Sequence, residues 1–120
     1  MTPLLEAAVA ARAAGLGVPT CEQCEGGHVQ GEYTGLFYSH SNCHATGINP
    51  DPVRLGWVAL MWLRARPNDP ALHVYSRSFR SVSYNGAGDM LELDRSHDGT
   101  ETGVATALLR LVARVGKVTP

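Results

Sequence analysis

Aromatic residues are scarce in this chain: they make up 7% of 120 residues, with only two tryptophans and two phenylalanines. Long apolar runs are missing as well, since no stretch reaches the roughly 18 consecutive apolar residues of a membrane span. The N-terminus has no basic segment followed by a long apolar stretch, so no secretory signal is expected, and the expected location is the cytoplasm. Net charge is nearly absent: 10 Lys and Arg against 11 Asp and Glu leave −1, with a pI near 6.5. That balance argues against a protein that coats nucleic acid by charge alone. Cysteine is limited to three residues, which cannot all pair within one chain. This points to a reducing compartment and to metal or thiol chemistry rather than disulfides. There is no internal repeat and no low-complexity linker.

What is present suits a globular chain. Hydrophobic residues make up 44% of it, enough to build a core at this length. One domain over 1–120 is expected, of α+β class: a zinc ribbon at about 18–49 with flanking helices, then a small antiparallel sheet and a C-terminal helix at about 70–116. Thr2 as N-cap and Pro3 in the first helical position predict a helix over about 3–15, with Gly15 and Gly17 as stops. Tyr33 and Leu36-Phe37-Tyr38 flank Thr34-Gly35, the pattern of a short hairpin. Asp51 as N-cap and Pro52 behind it open a helix over Val53 to Ala65. That helix is apolar on nearly every side (Leu55, Trp57, Val58, Leu60, Met61, Trp62, Leu63), so it is buried on most of its surface or packs against a partner. Core is the expected place for both tryptophans, in one core with Leu108 and Leu111.

After the Pro67-Asn68-Asp69-Pro70 break, Leu72 to Phe79 and Arg80 to Tyr84 read as β. Asn85-Gly86-Ala87-Gly88-Asp89 reads as a turn and Met90 to Asp94 as a short strand. The last helix is expected over about 101–115, capped by Asp98 or Thr100. Val104, Ala107, Leu108, Leu111, Val112 and Val115 keep helical spacing, and Gly116 is the expected stop.

The chemistry concentrates in Cys21-Glu22-Gln23-Cys24, followed by His40-Ser41-Asn42-Cys43. Zinc takes four soft or borderline ligands in a tetrahedron. A C-x2-C turn folds back tightly enough to put two thiolates on one ion, and Gly26 and Gly27 accept the positive φ such a turn needs. His40-x2-Cys43 repeats the spacing across a hairpin-length segment. The predicted ligands are Cys21, Cys24, His40 and Cys43, with His44 and His28 as alternatives for the fourth position. His73 and His97 lie far along the chain and read as surface or strand histidines.

Cys21-Glu22-Gln23-Cys24-Glu25-Gly26-Gly27, a hairpin, His40-Ser41-Asn42-Cys43-His44-Ala45-Thr46-Gly47, and then a helix with Ala59, Trp62 and Arg64 or Arg66 resemble the restriction-alleviation (Lar-like) zinc ribbons of phages and bacteria. In that family a C-x2-C-G-G turn precedes a C-x2-C-G-A turn, and the next helix carries an Ala…Trp-Asn-x-Arg signature. The likeness spans residues 19–66. Cys21, Cys24 and Cys43 match three ligand positions, and His40 stands at the remaining cysteine. Glu25 replaces a glycine and Leu63 an asparagine. The resemblance implies a phage or mobile-element protein that modulates a host defence or replication complex.

Enzyme readings fare worse. A zinc deaminase needs H-x-E upstream of P-C-x-x-C, and no histidine precedes Pro19-Thr20-Cys21. Asn42-Cys43-His44 lacks the Asp-His pair of an HNH nuclease. Four ligand candidates close together describe a closed structural site rather than a catalytic one with an open position. Cys43 and His44, adjacent in sequence, point apart too often to act as a nucleophile and its base. Asp94, His97, Asp98 and Glu101 read as a solvated loop and helix N-terminal charges rather than a cation site. Two functional classes remain: a protein-interaction module, and a nucleic-acid binder using Arg54, Arg64, Arg66, Arg77 and Arg80.

Overall fold

The computed structural model describes residues 1–22, 28–30, 37–39, 46–66, 71–75, 81–86, 89–94 and 97–118. Helix α1 covers Pro3–Ala13. The Thr2 hydroxyl accepts from the Leu5 backbone N–H at 3.3 Å and Pro3 fills the first turn, as their order in the sequence predicts. The helix ends earlier than expected, in a Schellman turn. Gly15 has φ 106°, its N–H donates to the Arg12 carbonyl, and the Leu16 N–H donates to the Ala11 carbonyl. Leu16 is thereby turned back into the core at 4% exposure.

Two short strands follow, β1 (His28–Gln30) and β2 (Phe37–Ser39), paired antiparallel with His28 opposite Ser39 and Gln30 opposite Phe37. Phe37 and Tyr38 of the expected hairpin fall in β2, its first strand lies earlier, at His28–Gln30, and Tyr33 to Leu36, where the turn was expected, lie outside the described residues. Helix α2 spans Pro52–Arg64. Asp51 caps it by accepting from the Val53 N–H at 3.0 Å, and the Asn49 side chain accepts from the Asp51 N–H at 3.1 Å.

Strands β3 (Ala71–Tyr75), β4 (Ser81–Gly86) and β5 (Asp89–Asp94) form an antiparallel sheet in the order β3-β4-β5. The register of β4 on β5 slips between Tyr84 and Asn85. Residues 76–80, where the first expected strand ended and the second began, lie outside the described residues.

Helix α3 covers Glu101–Val118. Thr100 is the cap: its hydroxyl accepts from the Gly103 N–H at 3.0 Å, and Asp98 in turn accepts from the Thr100 N–H at 3.0 Å. Gly116 does not end the helix, contrary to the sequence expectation. A Cβ there would stand 2.7 Å from the Cβ of Ala14, so the missing side chain lets α1 end directly against α3. The glycine serves packing, not termination.

Helix α3 is the centre of the molecule, with α1, α2, β4 and β5 packed on it. One cluster of buried side chains joins Leu5 of α1, Leu55, Ala59 and Leu63 of α2, Val82 and Tyr84 of β4, and Leu109, Leu111 and Val112 of α3. The chain is α+β as its pattern implied. The expected core, however, is half corrected. Leu108 and Leu111 are in it and Trp62 packs against it half-buried, but Trp57 is 61% exposed. The small residues Gly56 and Ala59 explain why. Gly56 brings α2 close enough to α3 that a Cβ would lie 3.3 Å from that of Ala105. So close a crossing buries the Leu55–Ala59–Leu63 face and turns Trp57 to the opposite side.

Candidate metal centre

Residues 19–21 and 47–49 run antiparallel beside each other. Thr20 and Ile48 form a bridge. The Cys21 N–H donates to the Gly47 carbonyl at 2.8 Å, and the Asn49 N–H donates to the Pro19 carbonyl at 2.9 Å. Gly47, at φ 73°, holds a left-handed turn that a side chain would strain. Ile48 is fully buried and Cys21 is 8% exposed.

The second clamp is the hairpin, where His28 pairs with Ser39. The two pairings are nested. Between them in sequence lie two arms of nearly equal length, residues 21–27 and 40–47. The first arm carries both cysteines of the C-x2-C motif; the second carries His40, Cys43 and His44. Each arm therefore begins and ends opposite the other, with bridged Cα atoms about 5 Å apart.

The neighbouring helices fix this unit in place. Arg12 of α1 donates to the Thr46 carbonyl at 2.8 Å, and the Thr46 hydroxyl accepts from the Ile48 N–H at 3.1 Å. Arg54 of α2 reaches Glu22, between the first two cysteines, at 3.3 Å. Both groups are largely exposed, so this pair adds little stability.

Of the four predicted ligands, Cys21 is placed, buried at the base of the unit. Cys24, His40 and Cys43 lie outside the described residues, as does the alternative His44. His28 takes the first position of β1. Among the described residues no three His, Cys, Asp or Glu side chains converge as a metal site.

His73 is exposed on β3 and stacks on Tyr75, with ring centroids 6.3 Å apart. The surface reading is overturned for His97, which is 4% exposed. Its Nδ1 accepts from the Gly99 N–H at 3.0 Å. Its Nε2 therefore carries the proton and donates to the Tyr75 carbonyl at 2.8 Å. His97 ties the start of α3 to the edge strand, a role its position in an acidic stretch of sequence conceals.

The arginines are dispersed. Arg54 is engaged with Glu22 and Asp51. Arg66 lies over the Trp62 ring, 3.8 Å from its centroid, and donates to the Trp62 carbonyl. Arg64 is exposed, and Arg77 and Arg80 lie outside the described residues. What stands out instead is the outer face of α2, where Val53, Trp57 and Met61 are 58%, 61% and 44% exposed. The sequence signalled this face only as one of two readings of an all-apolar helix.

No family profile, curated protein or solved structure matches this chain. No helix among the described residues is long and apolar enough to cross a membrane.

Proposed function

We propose that this chain is a small zinc-ribbon module of the restriction-alleviation type that acts by binding another protein. Zinc is the resident ion in this reading, held by Cys21, Cys24, Cys43 and His40, and its part is structural. The donor set fits: three thiolates and an imidazole close a tetrahedral zinc site. The nested pairings at Thr20–Ile48 and His28–Ser39 support it, because they draw the ends of both ligand-bearing arms together. Such an ion contributes folding free energy directly.

The observation that carries the binding function is the apolar stripe of Val53, Trp57 and Met61 on the solvent face of α2, the helix that follows the ribbon. Tryptophan is enriched among the few residues that carry most of the binding energy at protein interfaces. A cationic surface draws less support, with Arg54 and Arg66 engaged within the chain.

The test sets protein capture from a host lysate beside titration with DNA and RNA at low salt. The reading expects capture of a specific protein that is lost in Trp57→Lys, and no nucleic-acid binding. Salt-sensitive nucleic-acid binding that weakens in Arg64→Ala would replace this reading with the nucleic-acid one.

A further inference from the structure

The outer face of α2 has a definite polarity. With 3.6 residues per turn, Val53, Trp57, Leu60 and Arg64 fall on one stripe with Met61 along its edge, while Leu55, Ala59 and Leu63 fall on the buried side. Beside the stripe an apolar groove of about 470 Å³ runs between α2 and α3, lined by Val53, Gly56, Trp57, Leu60, Val104 and Leu108. Glu101 also lines the groove, as do Pro52 and Val53 at the start of α2. Arg64 stands at the C-terminal end. Both are exposed, and neither has an ion-pair partner among the described residues.

An apolar stripe with an anion at one end and a cation at the other is complementary to its own antiparallel copy. We infer that the α2 face is an isologous dimer interface, occupied by a second copy of this chain. The inference rests on reading this face as a protein-binding surface, which a second copy shares with any host protein that binds there.

A two-fold axis crossing the stripe midway pairs Val53 with Arg64 of the second copy and Trp57 with Leu60. Glu101 and Val53 line the same groove, so Arg64 of the second copy, opposite Val53, comes within reach of Glu101. Symmetry makes this pair twice. In a parallel arrangement Arg64 would face Arg64. A face one short helix wide falls in the range of small, concentration-dependent interfaces.

Sedimentation equilibrium of the full chain as purified, over a wide concentration range, tests this. The expected result is reversible association from 12.8 kDa to twice that mass. Arg64→Glu and Glu101→Arg should each weaken association at least tenfold, and the double variant R64E/E101R should restore it. Trp57→Lys should abolish it and leave the far-ultraviolet circular dichroism unchanged. A wild-type chain that stays monomeric throughout overturns the inference, as does a double variant no better than the single ones. The protein-binding reading fails separately: no host protein captured, together with salt-sensitive nucleic-acid binding, overturns it whatever the sedimentation result.

Discussion

The backbone N–H of Cys21 donates to the carbonyl oxygen of Gly47 at 2.8 Å. This bond starts the arm that carries Cys24 directly opposite the end of the arm that carries His40 and Cys43. Everything proposed for the metal centre follows from that closure and from its counterpart at His28 and Ser39. Closing a long loop by chain entropy alone is unfavourable. Here the closure is held by backbone pairing, by buried Ile48 and by the Arg12–Thr46 hydrogen bond.

The exposure of Trp57 predicts an unusual tolerance for a tryptophan. Trp57→Lys should change unfolding free energy by only about 0.5 kcal/mol or less. A core tryptophan cut back to alanine costs about 3–5 kcal/mol. Urea denaturation separates the two cases, provided it is measured at a concentration where self-association does not contribute. An aqueous quencher should also reach Trp57 more readily than Trp62 in the wild-type chain.

His97 should behave as a buried structural residue. His97→Ala leaves the Gly99 N–H and the Tyr75 carbonyl without their partner. Gly99 and Tyr75 are themselves exposed, so water can replace the lost partner; at about 0.5–1.5 kcal/mol for each hydrogen bond, a loss of about 1–3 kcal/mol is expected by denaturant titration. An effect within experimental scatter would mean that the loop before α3 is not anchored on β3.

These two residues show where the sequence was legible and where it was not. Local signals were clear: Thr2-Pro3 and Asp51-Pro52 opened helices, and Phe37 and Tyr38 fell in a strand. Those features depend on neighbours within a few residues. Trp57 and His97 depend on distant partners. The side of α2 that is buried was decided by the close crossing at Gly56 and Ala105, and the all-apolar helix gave no periodicity to reveal it. His97 is buried because Tyr75, far away in sequence, offers it a carbonyl. In the candidate site the spacing of cysteine and histidine is plain in the sequence. The pairing of Thr20 with Ile48 is not, since neither residue belongs to a recognisable strand.

Gly116 should resist substitution although it is helical. Alanine would add about 1 kcal/mol of helix propensity. The new Cβ, however, meets the Ala14 Cβ at 2.7 Å and its carbonyl oxygen at 3.0 Å. Overpacking of that kind costs about 1–3 kcal/mol, so thermal unfolding of Gly116→Ala should move down, by a few degrees. An upward shift would show that α1 does not seat on α3 as described.

Tyr84 predicts a loss of stability in alkali. Burial raises its phenol above the ordinary value, and the charge of Arg66 lowers it by a smaller amount. Above about pH 10 the unfolded chain releases this proton while the folded chain retains it. The folded state then binds more protons, so stability falls as pH rises. Below pH 10 both states are protonated and the effect vanishes. Tyr84→Phe should flatten this part of the stability profile; an unchanged alkaline slope would assign it to other groups.

The most direct measurement is elemental analysis of the purified chain, paired with thiol titration of the folded protein. The account predicts about one zinc per chain, three thiols protected until a chelator is added, and loss of zinc with cooperative unfolding in Cys21→Ser or Cys24→Ser. A folded chain with no metal and all three thiols freely titratable would contradict it.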